Sequence, residues 1–192
     1  MLYYDKIKNK EILAKEGIAV ARIIVCGGNG AGKSTLGTAL ASELGYKFED
    51  IENYYFPKEN PKYEYSDSRT REEVAKFLLA DMKKYTDFVL ASVHGNYGKE
   101  IKELFDIAVY IEVPKEVREK RVYERSYKQF GERMLPGGDL YEDEKRFLDM
   151  VAKRPEDYAT KWLSDMDIPI IKIDGTQTIE KSVEEIKRRL SL

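Results

Sequence analysis

Scarcity is the first informative property of this chain. Its 192 residues include a single cysteine, Cys26, so no disulfide can form within it. That cysteine sits in an apolar run, which fits a reducing compartment and an inert place in a core. Long hydrophobic runs are missing as well. The longest, around Ile18 to Ala21 and Ile23 to Cys26, are divided by Arg22 and are too short for a bilayer span or a signal core. The sequence therefore predicts a soluble, cytoplasmic protein with no membrane partner. An excess of one charge is absent too: 33 Lys and Arg stand against 35 Asp and Glu, a balance that gives no signal for a nucleic-acid partner. There is no internal repeat and no low-complexity tract.

What is present is a regular alternation. The length suits one domain over residues 1–192, with residues 1–18 read as an N-terminal arm carrying Leu2, Ile7, Ile12 and Leu13. Short apolar runs predict strands at Ala19–Cys26, Tyr46–Ile51, Asp87–Val93, Asp106–Val113 and Ile168–Ile173. Helical patterns lie between them, one stopped by Gly45 and one near Thr70 to Lys84 with Ser66, Asp67 or Ser68 as its cap. Another follows Pro114, and two more run over Glu142–Lys153 and Ile179–Leu190. Such alternation predicts an α/β fold, a doubly wound five-stranded parallel sheet flanked by helices. Ligands of such sheets bind at the carboxyl ends of the strands.

Gly27-Gly28-Asn29-Gly30-Ala31-Gly32-Lys33-Ser34 satisfies G-x-x-x-x-G-K-[ST] between a predicted strand and a predicted helix, the context this phosphate-binding loop requires. Small residues let the backbone N–H groups of Gly28 to Thr35 face phosphates, and the helix that follows adds its positive end. Lys33 is expected at the β and γ phosphates of ATP, and the Ser34 hydroxyl on Mg²⁺. A guanine-specific Asn-Lys-x-Asp segment, a transporter-type ATPase signature and a strand ending in paired acids are all missing, which weakens the GTPase and motor readings.

Phe48-Glu49-Asp50-Ile51-Glu52 closes the second predicted strand. It resembles the F-x-D-x-D segment of shikimate kinase and related members of the P-loop kinase superfamily, with Glu52 in place of the second aspartate. Arg69-Thr70-Arg71-Glu72 resembles that family's R-x-x-E, and Arg154 with Tyr158-Ala159 resembles its late R-x-x-x-Y. The family's glycine triplet after the third strand is replaced by Val93-His94-Gly95-Asn96-Tyr97-Gly98. The resemblance implies that Asp50 holds Mg²⁺ through water or orients an acceptor hydroxyl, and that Glu52 touches the acceptor. Surface acids after a strand are the competing account. Strand alternation would turn Asp50 and Glu52 to one side. Arg69 and Arg71 can clamp an acceptor carboxylate or phosphate; His94, the only histidine, can hydrogen-bond the substrate.

Arg118, Arg121 and Arg125 recur on one helical face, and Arg133 follows in a glycine-containing loop from Ser126 to Leu140. This resembles the mobile lid of nucleotide and small-molecule kinases, with Arg121 and Arg125 the preferred catalytic pair and Arg133 on the acceptor. A solvated helix face accounts for the same arginines, Arg118 above all. Asp174-Gly175-Thr176 is the expected adenine-side turn, Gly175 and Thr176 packing on the base. The sequence thus predicts an ATP- and Mg²⁺-dependent kinase acting on a small-molecule hydroxyl. A nucleoside or nucleotide kinase and a regulatory ATP-binding protein are the alternatives.

Overall fold

The computed structural model describes residues 22–190; the N-terminal arm lies outside them. In chain order the elements are β1 (Arg22–Cys26), α1 (Lys33–Leu44), β2 (Lys47–Asp50), α2 (Ile51–Tyr55), α3 (Arg71–Lys84), β3 (Phe88–Ser92), α4 (Lys99–Lys102), β4 (Ile107–Glu112), α5 (Lys115–Phe130), α6 (Tyr141–Lys153), α7 (Tyr158–Lys161), β5 (Ile170–Asp174) and α8 (Ile179–Leu190), with short 3-10 turns at Gly131–Met134 and Leu163–Asp165. The five strands form one parallel sheet in the order β2-β3-β1-β4-β5.

Both faces of that sheet are covered, which is why its strands read as unbroken apolar runs. Ile23 and Val25 point to one side, where Leu36, Leu40, Ile186 and Leu190 of α1 and α8 pack on them. Ile24 and Cys26 point to the other, against Val74, Leu78 and Met82 of α3 and against Trp162 and Leu163. Cys26 is fully buried, and burial pushes its thiol up to about 12, so it is an unreactive core residue. No helix among the described residues is long and apolar enough to cross a membrane.

The structure departs from the sequence reading at three element ends. Strand β2 stops at Asp50, and residues 51–55 turn into α2, because the Asp50 side chain accepts from the Glu52 backbone N–H and caps the helix. Thr70, not Ser66, Asp67 or Ser68, caps α3: its hydroxyl accepts from Glu73 N while the Glu73 carboxylate accepts from Thr70 N, a reciprocal capping box. Residues 126–130 complete α5, so the expected loop from Ser126 is shorter and begins with the Gly131–Met134 turn.

Removing the α3 cap leaves first-turn N–H groups unsatisfied. Thr70→Ala is expected to destabilise the protein by about 1 kcal/mol, read as a lower midpoint in urea unfolding with an unchanged slope.

Candidate active site

The loop between β1 and α1 owes its shape to its glycines. Gly30 and Gly32 have φ of 79° and 92°, in the left-handed region that costs other residues energy. At Gly30 there is also no room: an added Cβ would lie 2.2 Å from the Arg118 carbonyl oxygen. Gly32 precedes α1 without any side-chain cap, so the first-turn N–H groups of that helix stay available to an anion. Lys33 folds back and its Nζ donates to Gly28 O at 3.0 Å. Burial lowers the Lys33 pKa to about 8, opposed by Glu52 and Asp50 and reinforced by Arg125.

Across from the loop, Ser34 Oγ donates to Asp50 Oδ2 at 2.5 Å, while Asp50 Oδ1 accepts from Glu52 N at 2.9 Å. One carboxylate thus ties the start of α1 to the start of α2. A hydroxyl and a carboxylate are hard oxygen donors, the kind Mg²⁺ takes. No group of three or more His, Cys, Asp or Glu able to hold a metal occurs among the described residues. The pair therefore fits an ion that draws its other ligands from water and phosphate oxygens.

A cavity of about 580 Å³ opens between these elements. It is lined by Asn29, Gly30, Gly32, Lys33, Ser34 and Thr35, by Asp50 and Glu52, by His94, and by Arg121 and Arg125. Asp50 and Glu52 do face one space, although the reason differs from strand alternation, since Glu52 belongs to α2. Aromatic rings wall the far side: Tyr55 lies 6.4 Å from Tyr97, and His94 lies 5.2 Å from Tyr97 and 5.5 Å from Tyr158. Burial, with Arg71 and Arg154 nearby, lowers the His94 pKa, so the ring is neutral at pH 7.

A second cavity of about 330 Å³ adjoins it through Gly32, Thr35 and Arg121, and it is lined by Ala31, Gly175 and Gln177. Arg121 donates to Gly175 O at 3.1 Å, so its guanidinium stands at the junction of the two. Gly175 is glycine for lack of space, a Cβ there lying 2.4 Å from Ile111 and Val113 side chains. Thr176 turns away; its hydroxyl donates to Asp174 Oδ1 at 2.6 Å, and it is outside the cavity lining. A third cavity, about 600 Å³, lies behind Gly28 between Arg118 and Arg154.

Three sequence expectations sit elsewhere. Arg69 donates to Tyr54 O at 3.0 Å and its guanidinium covers the Phe77 ring at 4.9 Å, outside the lining. Arg71 donates to Asn96 O. Arg133 pairs with Asp139 at 2.8 Å and with Lys62 O at 3.1 Å, bracing the α5–α6 connection rather than the cavity. Two others gain weight. Arg118, read as a surface residue, packs on Gly28 and donates through Nε to Val113 O at 3.1 Å. Arg154 donates to Asn29 Oδ1 at 2.5 Å and stacks on Tyr158 at 4.7 Å, joining the loop to the aromatic wall. The R-x-x-x-Y spacing was the signal for it.

The profile of a family described as an AAA domain matches residues 23–146. The uncharacterized protein YqaC of Bacillus subtilis (strain 168) is 28% identical over 177 residues, covering 88% of this chain and 97% of its own length. Among solved structures, a shikimate kinase from Acinetobacter baumannii in complex with shikimate superposes with a TM-score of 0.58 at 18% identity, over 93% of this chain and 97% of that one. The deoxyadenosine kinase from M. mycoides with bound dATP gives 0.55 at 16% identity, over 89% and 100%. A gluconokinase from Sinorhizobium meliloti 1021 gives 0.53 at 17% identity, over 90% and 92%. The chain therefore has the fold of P-loop small-molecule and nucleotide kinases.

The low pKa of Lys33 has a stability consequence. The folded chain holds that proton less tightly than the unfolded chain, so Lys33 costs stability at and below about pH 8, and the cost fades as pH rises towards the ordinary lysine value. Lys33→Met is expected to raise the melting temperature of the nucleotide-free protein at pH 7 by a few degrees, roughly 1–3 kcal/mol. The gain over wild type should shrink between pH 8 and pH 10 in thermal unfolding.

Proposed function

The chain belongs to the AAA domain family, and on that premise we propose that it is an ATP-dependent kinase transferring the γ-phosphoryl group to a hydroxyl of a small molecule. The observation that carries this reading is the shared cavity: the phosphate loop and the Ser34–Asp50 pair open into a partly aromatic cleft of about 580 Å³. Hydrolysis needs room for one water. This volume suits a bound organic acceptor.

In the proposed reaction, the N–H groups of Gly28 to Thr35 and the Lys33 ammonium hold the phosphates of ATP. Ser34 and Asp50 would hold Mg²⁺, which when bound neutralises charge on the phosphate oxygens. Glu52, on the far side of Asp50, is set to orient the acceptor, and either carboxylate can receive the hydroxyl proton as the acceptor oxygen bonds to the γ-phosphorus and ADP leaves. His94, neutral, can donate or accept one hydrogen bond on the same wall. Arg125, close enough to act on Lys33, offsets charge on the transferred group, while Arg121 and Gly175 serve the nucleotide base in the adjoining cavity. We take residues 1–192 as one cytoplasmic domain with residues 126–140 as the lid that excludes water. The aromatic wall of Tyr55, Tyr97 and Tyr158 favours a nucleoside as the second reading of the acceptor.

Incubation with γ-labelled ATP and pooled metabolites tests this directly. Label is expected in an organic product, and Lys33→Ala should abolish transfer while Asp50→Asn lowers it by a hundredfold or more. Label released only as inorganic phosphate would instead mark a regulatory nucleotide hydrolase.

A further inference from the structure

Behind the acceptor wall lies a small chamber of about 60 Å³, between α5, α6 and the segment that follows α2. Glu52, Phe56, Arg125 and Phe147 line both it and the main cavity, so the two adjoin. Its remaining walls are Tyr63, Tyr65 and Phe130, packed edge to face or tilted at 5.5 to 6.5 Å, with Ser126, Gln129 and Glu144. Glu144 of α6 is 1% exposed. The Tyr63 hydroxyl donates to Glu144 Oε1 at 2.8 Å, but the buried Oε2 has no hydrogen-bond partner among the described residues. A buried acceptor left unmade is expensive, and a carboxylate more so. The helix tie to Tyr63 needs only one oxygen.

The cationic side chains tell the same story from the opposite side. Arg69, Arg71 and Arg133, the residues suited to clamp an acid, are engaged by Tyr54 O, Asn96 O and Asp139. Arg125 is the one guanidinium that lines the chamber, and it is near enough to act on both Lys33 and Tyr65. An anionic acceptor group entering the chamber could be held by Arg125, but it would bring a further acceptor and no donor to Glu144 Oε2. An N–H donor would meet an unpaired oxygen and the faces of aromatic rings, which attract cations.

We propose that this chamber is the specificity subsite for the acceptor and that Glu144 Oε2 receives an amino or ammonium group, so the acceptor is a neutral or cationic nitrogen-bearing alcohol and not an acid. The inference rests on the kinase reading above. A site built around a buried hydrogen-bonding group rejects an analogue lacking the donor far more strongly than an apolar pocket rejects a missing methylene.

The test pairs probes that differ by one amino group. Adenosine, ethanolamine and glucosamine are compared with purine riboside, ethanol and 2-deoxyglucose, which lack the donor at that position, and with the acids shikimate and gluconate, by thermal shift in the presence of a non-hydrolysable ATP analogue. At least one amine-bearing probe should raise the melting temperature where its amine-free counterpart does not. Glu144→Gln keeps the oxygen that Tyr63 uses and loses the second acceptor; it should weaken that probe ten- to a hundredfold while leaving the shift caused by the ATP analogue intact. No shift from any amine, a larger shift from an acid or an amine-free counterpart, or an unchanged response in Glu144→Gln would overturn the proposal. The paired comparison on the wild-type protein decides even if the variant fails to fold. Label transfer from γ-labelled ATP to shikimate or gluconate would keep the kinase reading and defeat only the role of Glu144, whereas ATP binding without transfer to any alcohol would defeat the kinase reading itself.

Discussion

The seat of α5 on the phosphate loop is the contact on which the carboxyl edge of the sheet depends. The Arg118 backbone lies where a side chain at Gly30 would be, and its guanidinium covers Gly28 while Nε reaches Val113 O. Once residue 118 is pinned there, helical geometry disposes the rest. Positions three and seven further on share that face, so Arg121 meets Gly175 O and Arg125 reaches the neighbourhood of Lys33. The glycines thus do more than shape a cradle for phosphate. They let a second element approach closely enough to bring two arginines to the same space.

Asp50 performs the corresponding task on the other side. Its two oxygens hold Ser34 at the start of α1 and the first turn of α2, and Glu52 arrives at the cavity as a consequence of that cap. The electrostatics follow from this clustering. Lys33 is pulled down by burial and Arg125 and held up by Glu52 and Asp50, so the ammonium stays charged near neutral pH without being locked into an ion pair. A cation in that balance remains free to turn from Gly28 O to an incoming phosphate.

Much of this was legible because the signals were local. The run into β1, the glycine loop and the Gly45 stop are each decided within a few residues, and Gly45 does adopt the left-handed C-cap. Strand β2 was over-extended because Ile51 reads as strand until the side chain of Asp50 is allowed to cap a helix. The cap of α3 was misplaced among three polar residues because the reciprocal bond from Glu73 selects Thr70. Arg118 and Glu144 were beyond reach for a different reason. Their character comes from what packs on them, a loop about ninety residues earlier in one case and Tyr63 at a separation of 81 in the other, and no periodicity encodes such a meeting.

The positions of Arg69 and Arg71 follow from the segments beside them. Because α2 exists, the Tyr54 carbonyl is presented to Arg69, which spends its guanidinium there and on Phe77 instead of in the cavity. In the His94 to Gly98 segment after β3, Tyr97 is buried and Asn96 O engages Arg71. Neither guanidinium lines the main cavity, where Tyr55, His94, Tyr97 and Tyr158 stand. The cavity therefore keeps its cations, Arg121, Arg125 and Arg154, beside ring faces, while the two arginines ahead of and within the first turn of α3 are held by backbone carbonyls outside it.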